Sequence, residues 1–222
     1  MNTQHFHTER GCLSYITYDL KSKEAALIDP SAEMTSEAYV DFLQEHGLTL
    51  RYIIETHTHA DHISSAKEIQ KMTDALIVRH VNAPSRTKDI VVSGGEELLL
   101  GDVGLHVIST PGHTNESISI YNGAEVFTGD ALLIGGTGRT DFQVGSSDAL
   151  YQSLHSALGS LPPETLLRPG HDYRGRNQMP LGDELRTNPR VAMNEPEFVS
   201  FMNEYHPPKP DLFERAIEEN SR

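Results

Sequence analysis

Tryptophan is absent from this chain, and cysteine occurs once, as Cys12, among 222 residues. A lone cysteine excludes an intramolecular disulfide framework, so a core of this size must be held by burial alone. It also fits a reducing compartment. Basic residues are scarce: 18 Lys and Arg face 32 Asp and Glu, for a formal net charge of −14 with histidine neutral. Such a surface repels phosphate backbones and anionic headgroups, which excludes nucleic acid and the membrane surface as expected partners. A small anionic substrate is not excluded, since a few local arginines can hold one. Long apolar runs are missing as well. Nothing approaches the roughly 18 to 20 residues of a membrane span, and residues 1–10 are polar with no apolar signal core. The expected location is the cytoplasm. No internal repeat and no low-complexity linker interrupts the chain. Its length suits one domain over 1–222, mixed in α and β, with 191–222 as a helical tail.

What the chain does have is a succession of short apolar segments. Residues 13–19 and 25–29 read as strands joined by a polar turn at 21–23. Residues 35–47 read as a helix, with Tyr39, Phe42 and Leu43 on one face and Gly47 as its stop. The run 51–55 predicts a buried strand, 62–72 a helix and 76–79 another strand. Strands are predicted next over 97–100, 105–109, 117–121 and 125–128, with Asn122-Gly123 turning the last pair. A helix over 147–158, a strand over 165–168 and helical pieces over 195–222, split by Pro207, Pro208 and Pro210, complete the reading. His57, His113, Asp130 and His171 all fall just past the C-terminal end of a predicted strand. Loops in that position on a rigid sheet are where α/β proteins carry reactive groups.

The segment Thr56-His57-Thr58-His59-Ala60-Asp61-His62 packs three imidazoles and one carboxylate into six positions. A metal ion needs neutral imidazole nitrogens and carboxylate oxygens converging within about 2.0 to 2.2 Å of it. A tight loop after a strand lets His57 and His59 point to one side. A surface histidine tract, the competing reading, does not explain such a cluster directly behind an apolar strand. His113 follows the turn Pro111-Gly112, Asp130 ends Phe127-Thr128-Gly129-Asp130, and His171 follows Pro169-Gly170. Singly, each has an ordinary alternative: a loop histidine for His113 and His171, a helix cap for Asp130. Their order and context together carry the inference.

The series T-H-x-H-x-D-H, P-G-H-T, F-T-G-D and P-G-H-D-Y resembles that of the metallo-β-lactamase superfamily over about residues 11–190. The resemblance implies an αββα sandwich: two facing β-sheets, helices on both outer faces, and a metal at one edge. Finer motifs are similar to the persulfide dioxygenase family. They are Ala60-Asp61-His62-Ile63, residues 129–134, Gly138-Arg139-Thr140-Asp141-Phe142-Gln143, His171-Asp172-Tyr173, Arg186-Thr187 and Asn188-Pro189-Arg190, together with Cys12. That family implies oxidation of glutathione persulfide by O2 to sulfite and glutathione, with one Fe(II) per chain. Carried over by position, the ligands are His57, His113 and Asp130, a set of two histidines and one carboxylate that leaves coordination positions open. His59, Asp61, His62 and His171 are then expected to orient ligands, hold water or line the pocket. In dinuclear relatives Asp61, His62 and His171 help hold a second metal, which the residues here also permit. Arg139 resembles an arginine that grips a glutathione carboxylate, a task suited to its forked donors; the alternative is an ion pair with Asp141. Tyr173 resembles a tyrosine beside the substrate, with plain packing as the alternative. Arg186 and Arg190 are further basic candidates against surface ion pairs. Cys12 reads as a small packed side chain with no base recognisable beside it.

Residues 175–182 and the tail after Arg190 depart from the family pattern. The tail is expected to influence oligomerisation, a homodimer included, or to close part of the pocket. No rhodanese-like domain follows, so a sulfur-donating sulfurtransferase would be a separate protein. Two other classes compete. A glyoxalase II-like thioester hydrolase would use two Zn ions and a metal-activated water, but the extra C-terminal helical domain of those enzymes is not found here. A non-catalytic metal- or sulfide-sensing module would be expected to have lost ligands, and none is missing.

Overall fold

Side chains alternate across a strand with a period of two, and in this chain both faces of the central strands are apolar. The computed structural model describes residues 1–222. Its first sheet runs β1 (Asn2–His7), β2 (Leu13–Tyr18), β3 (Glu24–Ile28), β4 (Thr49–Ile54), β5 (Leu76–His80) and β6 (Ile90–Val92) in spatial order. The first three strands pair antiparallel and the rest parallel. Ala26, Ile28, Tyr52 and Ile54 face inward, while Ala25, Leu27 and Ile53 face outward onto α1 (Ser36–Glu45) and α2 (Ala66–Thr73). Thr35 caps α1, its side chain accepting from Ala38 N, and Gly47 follows at φ +61°.

The second sheet has the order β12-β11-β10-β9-β8-β7. Its strands are β7 (Glu97–Leu100), β8 (Val103–Ser109), β9 (Ile118–Tyr121), β10 (Glu125–Gly129), β11 (Leu166–Pro169) and β12 (Met179–Pro180). Phe127 points into the core shared with the first sheet and Val126 points out. Its outer face is covered by α3 (Ser147–Gln152), α4 (Leu181–Thr187) and α5 (Glu195–Glu204), which contribute Leu150, Leu181, Phe198 and Met202. The remaining helix, α6 (Phe213–Ser221), ends the chain. Three apolar layers thus separate helix, sheet, sheet and helix, and the expected αββα sandwich is the architecture found. No helix is long and apolar enough to cross a membrane.

Some elements differ from expectation. Residues 62–65 do not join the expected 62–72 helix, because Ser64 bridges to Ser31 and Ser65 N bonds to the Pro30 carbonyl. The helix expected over 147–158 continues past Gln152 only as a wider π turn, Ser153–Ala157, and a short 3₁₀ turn. The polar start of the chain forms the edge strand β1, whose Phe6 packs on Tyr39 at 4.8 Å between ring centroids.

Candidate metal centre

Loops from both sheets meet at one edge of the sandwich. His57 follows β4, His113 follows β8, Asp130 follows β10 and His171 follows β11. The register of β10 against β11 shifts between Phe127 and Gly129, a bulge of the kind that re-aims the next side chain. Gly129 lies at φ +50°, and a Cβ there would stand 2.3 Å from Thr56 Oγ1. Bare backbone is what lets the Asp130 turn approach the His57 loop.

The 56–64 segment is held largely by three buried side chains from distant parts of the chain. Asp29 accepts from Thr56 N and Thr56 Oγ1, both at 2.7 Å, and Glu116 accepts from Thr58 N at 2.8 Å. Asn220 donates to the carbonyls of His59 and His62, both at 2.9 Å. Buried backbone groups must find partners, and these residues supply them. Sequence reasoning singled out none of them. Glu116 carried a weak signal, lying three residues after His113, and Asn220 carried none.

His57, His113 and Asp130 come together, their ligand atoms all within 4.8 Å of one another. His113 Nε2 lies 3.8 Å from Asp130 Oδ2, and the two imidazoles meet edge to face at 4.9 Å. The other nitrogen of each ring is engaged. His113 Nδ1 donates to the Arg139 carbonyl at 2.8 Å. Thr56 Oγ1 gives its proton to Asp29 and so accepts from His57 Nδ1 at 3.0 Å. Both Nε2 lone pairs are left for an ion, as in histidines that bind metal. A Cβ on Gly138 would stand 2.7 Å from His113 Nδ1, so glycine closes the cradle behind this imidazole. Burial, and then His59 and His113, hold His57 well below its ordinary pKa and therefore neutral. Burial opposes charge on Asp130, but His171, bonded to it at 2.6 Å, outweighs that and keeps the carboxylate ionised. This donor set fits a divalent transition-metal ion, and the site supports metal binding.

His59 does not join the group. Its Nε2 lies 3.2 Å from Asp29 Oδ1 and 3.5 Å from Glu55 Oε2, all three residues being buried. The His57 and His59 rings do lie side by side, 4.3 Å between centroids, but His59 Nε2 is turned to the two buried carboxylates. Burial, and then His62, lower its pKa to about 4.

Asp61, His62 and His171 converge with Cys12 in a second group. His171 Nδ1 donates to Asp130 Oδ1 at 2.6 Å and Nε2 to Asp61 Oδ2 at 2.8 Å, so both ring nitrogens carry protons. Burial disfavours that charge, yet Asp130 and Asp61 raise the His171 pKa well above its ordinary value. His62 Nδ1 and Cys12 Sγ donate to the same Asp61 oxygen, at 3.1 and 3.3 Å. Cys12 therefore has basic neighbours after all. Burial raises its pKa, but His171 and His62 bring the thiol below its ordinary range.

A pocket of about 260 Å³ opens over these residues, with His113, Asp130 and His171 at its base. Arg139, Phe142, Tyr173, Pro207, Pro208 and Phe213 line its walls, so the tail closes one side. Arg139 donates Nε and Nη2 to Asp141 at 2.6 and 2.7 Å, and Nη1 to the Pro208 carbonyl at 2.9 Å. The ion pair weighed as the alternative role for Arg139 is thus present, and it also straps the tail to the rim. One hydrogen on each terminal nitrogen remains uncommitted. Tyr173 is 78% exposed and seated on Gly11, where a Cβ would meet its ring at 2.7 Å. Neither Arg186 nor Arg190 lines the pocket. Arg186 pairs with Asp183 at 2.8 Å, and Arg190 lies over the Tyr205 ring at 4.3 Å.

The profile described as Metallo-beta-lactamase superfamily matches residues 7–171. "Persulfide dioxygenase ETHE1, mitochondrial" from Homo sapiens is 36% identical over 214 residues, covering 94% of this chain and 83% of that protein. The crystal structure of ETHE1 from Myxococcus xanthus superposes with a TM-score of 0.95 at 39% identity, covering 100% of this chain and 98% of that one. The likeness therefore runs through the tail, beyond the 11–190 stretch legible from motifs. "Hydroxyacylglutathione hydrolase cytoplasmic" from Arabidopsis thaliana is 32% identical over 173 residues, covering 74% of this chain and 65% of that protein.

Proposed function

The chain belongs to the metallo-β-lactamase superfamily and, within it, to the persulfide dioxygenase family, and on that premise we propose that it oxidises glutathione persulfide with O2. The balanced reaction takes the persulfide, O2 and one water to glutathione, sulfite and two protons. Both oxygen atoms of O2 end on the outer sulfur, and water supplies the third on cleavage of the sulfur–sulfur bond. We assign His57, His113 and Asp130 as the ligands of one Fe(II). When bound, that iron supplies the electrons that ground-state dioxygen needs in order to react with a closed-shell sulfur compound, chemistry that redox-inert Zn lacks.

The chain's own residues do the rest. His113 is oriented by the Arg139 carbonyl and His57 by the Thr56–Asp29 relay. His171 holds Asp130 by one oxygen, leaving the other toward His113. Arg139 and Tyr173 stand where the glutathione portion would lie, and Phe142 and Phe213 exclude water from one wall. The observation that carries a single-ion reading is the engagement of His171. It spends both nitrogens on Asp130 and Asp61, so it adds no lone pair to the three-ligand set. Any homodimer or sulfurtransferase partner belongs to this proposal only as an expectation from the family.

Product analysis tests the reaction. With glutathione persulfide, O2 uptake and sulfite formation in about equal amounts are expected. Hydrolysis of S-lactoylglutathione with no O2 uptake would support the thioesterase instead.

A further inference from the structure

One of the side chains that grip the metal loop comes from the far end of the sequence. Asn220 of α6 is 4% exposed. Its carboxamide nitrogen donates to the carbonyls of His59 and His62, both at 2.9 Å, and its carboxamide oxygen accepts from Ser64 N at 2.9 Å. Its main-chain carbonyl accepts from Arg79 Nη1 at 2.8 Å. These bonds close the turn that carries Asp61 and His62. Asp61 in turn accepts from His171, which donates to Asp130. The chain of contacts therefore runs from Asn220 to the ligand carboxylate without a gap. An aspartate at this position would keep the acceptor and lose both donors.

The same helix reaches the pocket. Phe213, Ala216, Ile217 and Asn220 follow the spacing that puts residues on one helix face. Phe213 packs against Phe142 at 4.7 Å between ring centroids and lines the pocket wall.

We propose that Asn220 is a positioning residue of the metal site, fixing the 59–64 turn so that the ligand set is preorganised before the ion arrives. The inference rests on His57, His113 and Asp130 being the ligands. It is tested on the full chain with Asn220→Ala and Asn220→Asp, by anaerobic competition of the protein against a chelator for Fe(II) and by the visible spectrum of Co(II)-loaded protein. Both variants are expected to bind Fe(II) about tenfold more weakly or worse and to show an altered Co(II) spectrum. The thermal midpoint of the metal-free protein should stay within a few degrees of wild type. Arg215→Ala, exposed on the same helix, should bind as wild type does. A folded Asn220 variant with wild-type Fe(II) affinity and an unchanged Co(II) spectrum overturns the proposal. Should the alanine variant not fold, the near-isosteric aspartate carries the same test. A His113→Ala variant that binds Fe(II) as wild type does would sink the ligand assignment itself. Retained affinity in the Asn220 variants alone sinks only this inference.

Discussion

His57 and His59 are two residues apart, both buried, and turned to different partners. The difference lies in what each loop nitrogen finds: a threonine hydroxyl for His57 Nδ1, and two buried carboxylates near His59 Nε2. Substitution should separate their roles. His57→Ala or His113→Ala should lose bound metal and activity together. His59→Ala should keep metal at the wild-type stoichiometry while the fold weakens by about 1–3 kcal/mol, because Asp29 and Glu55 lose the imidazole between them. Metal content by elemental analysis, read beside the thermal midpoint, distinguishes the two classes. Loss of metal in His59→Ala would add that residue to the ligands. Asp141 offers a pH test at the same scale. Its hydrogen bonds to Arg139, foremost, lower its pKa to about 2, against an ordinary 3.8. A depressed carboxylate stabilises the fold above the unfolded pKa and loses that contribution as pH falls through the folded one. The melting difference between wild type and Asp141→Asn, measured on metal-free protein, should be largest above about pH 5 and shrink as pH falls below about 4. A gap that stays constant down to pH 3 would mean that this ionisation does not contribute.

Among the elements, the strap from Arg139 to the Pro208 carbonyl joins the Gly138–Phe142 loop to the tail. Arg139→Ala should therefore raise the KM for glutathione persulfide about tenfold, the loss expected for an ionic hydrogen bond, with metal content unchanged. A fall in metal content instead would assign the residue to the His113 carbonyl contact. How much was legible in advance differs from element to element. The run at 25–29 announced its strand because burial on both faces leaves an apolar signature in the sequence. The four loops of the site were legible because each combines a reactive side chain with a strand end. The edge strand β1 was not, since its half-exposed residues carry little apolar pattern. The orientation of His59 was not legible either, because it depends on Asp29 approaching from the end of the neighbouring strand β3. Asn220 lies 161 positions from the carbonyl it holds, and no local pattern reports such a contact.

Across the whole molecule, the acidic surface leaves electrostatic preference for the substrate to the pocket rim, where Arg139 is tied to Asp141 and the Lys209 ammonium lies 5.1 Å from the Phe142 ring centroid. The sandwich supplies a rigid edge, the loops supply three candidate ligands, and the tail supplies a wall. The central claim is that these three side chains hold a lone redox-active ion. It is tested most directly by elemental analysis of the protein purified without exposure to oxygen, coupled to an oxygen electrode on addition of glutathione persulfide. The account predicts about one iron per chain, as a site of two histidines and one carboxylate should hold, with oxygen consumed in proportion to that iron. Two zinc ions per chain, with no oxygen consumed when the persulfide is added, would contradict it.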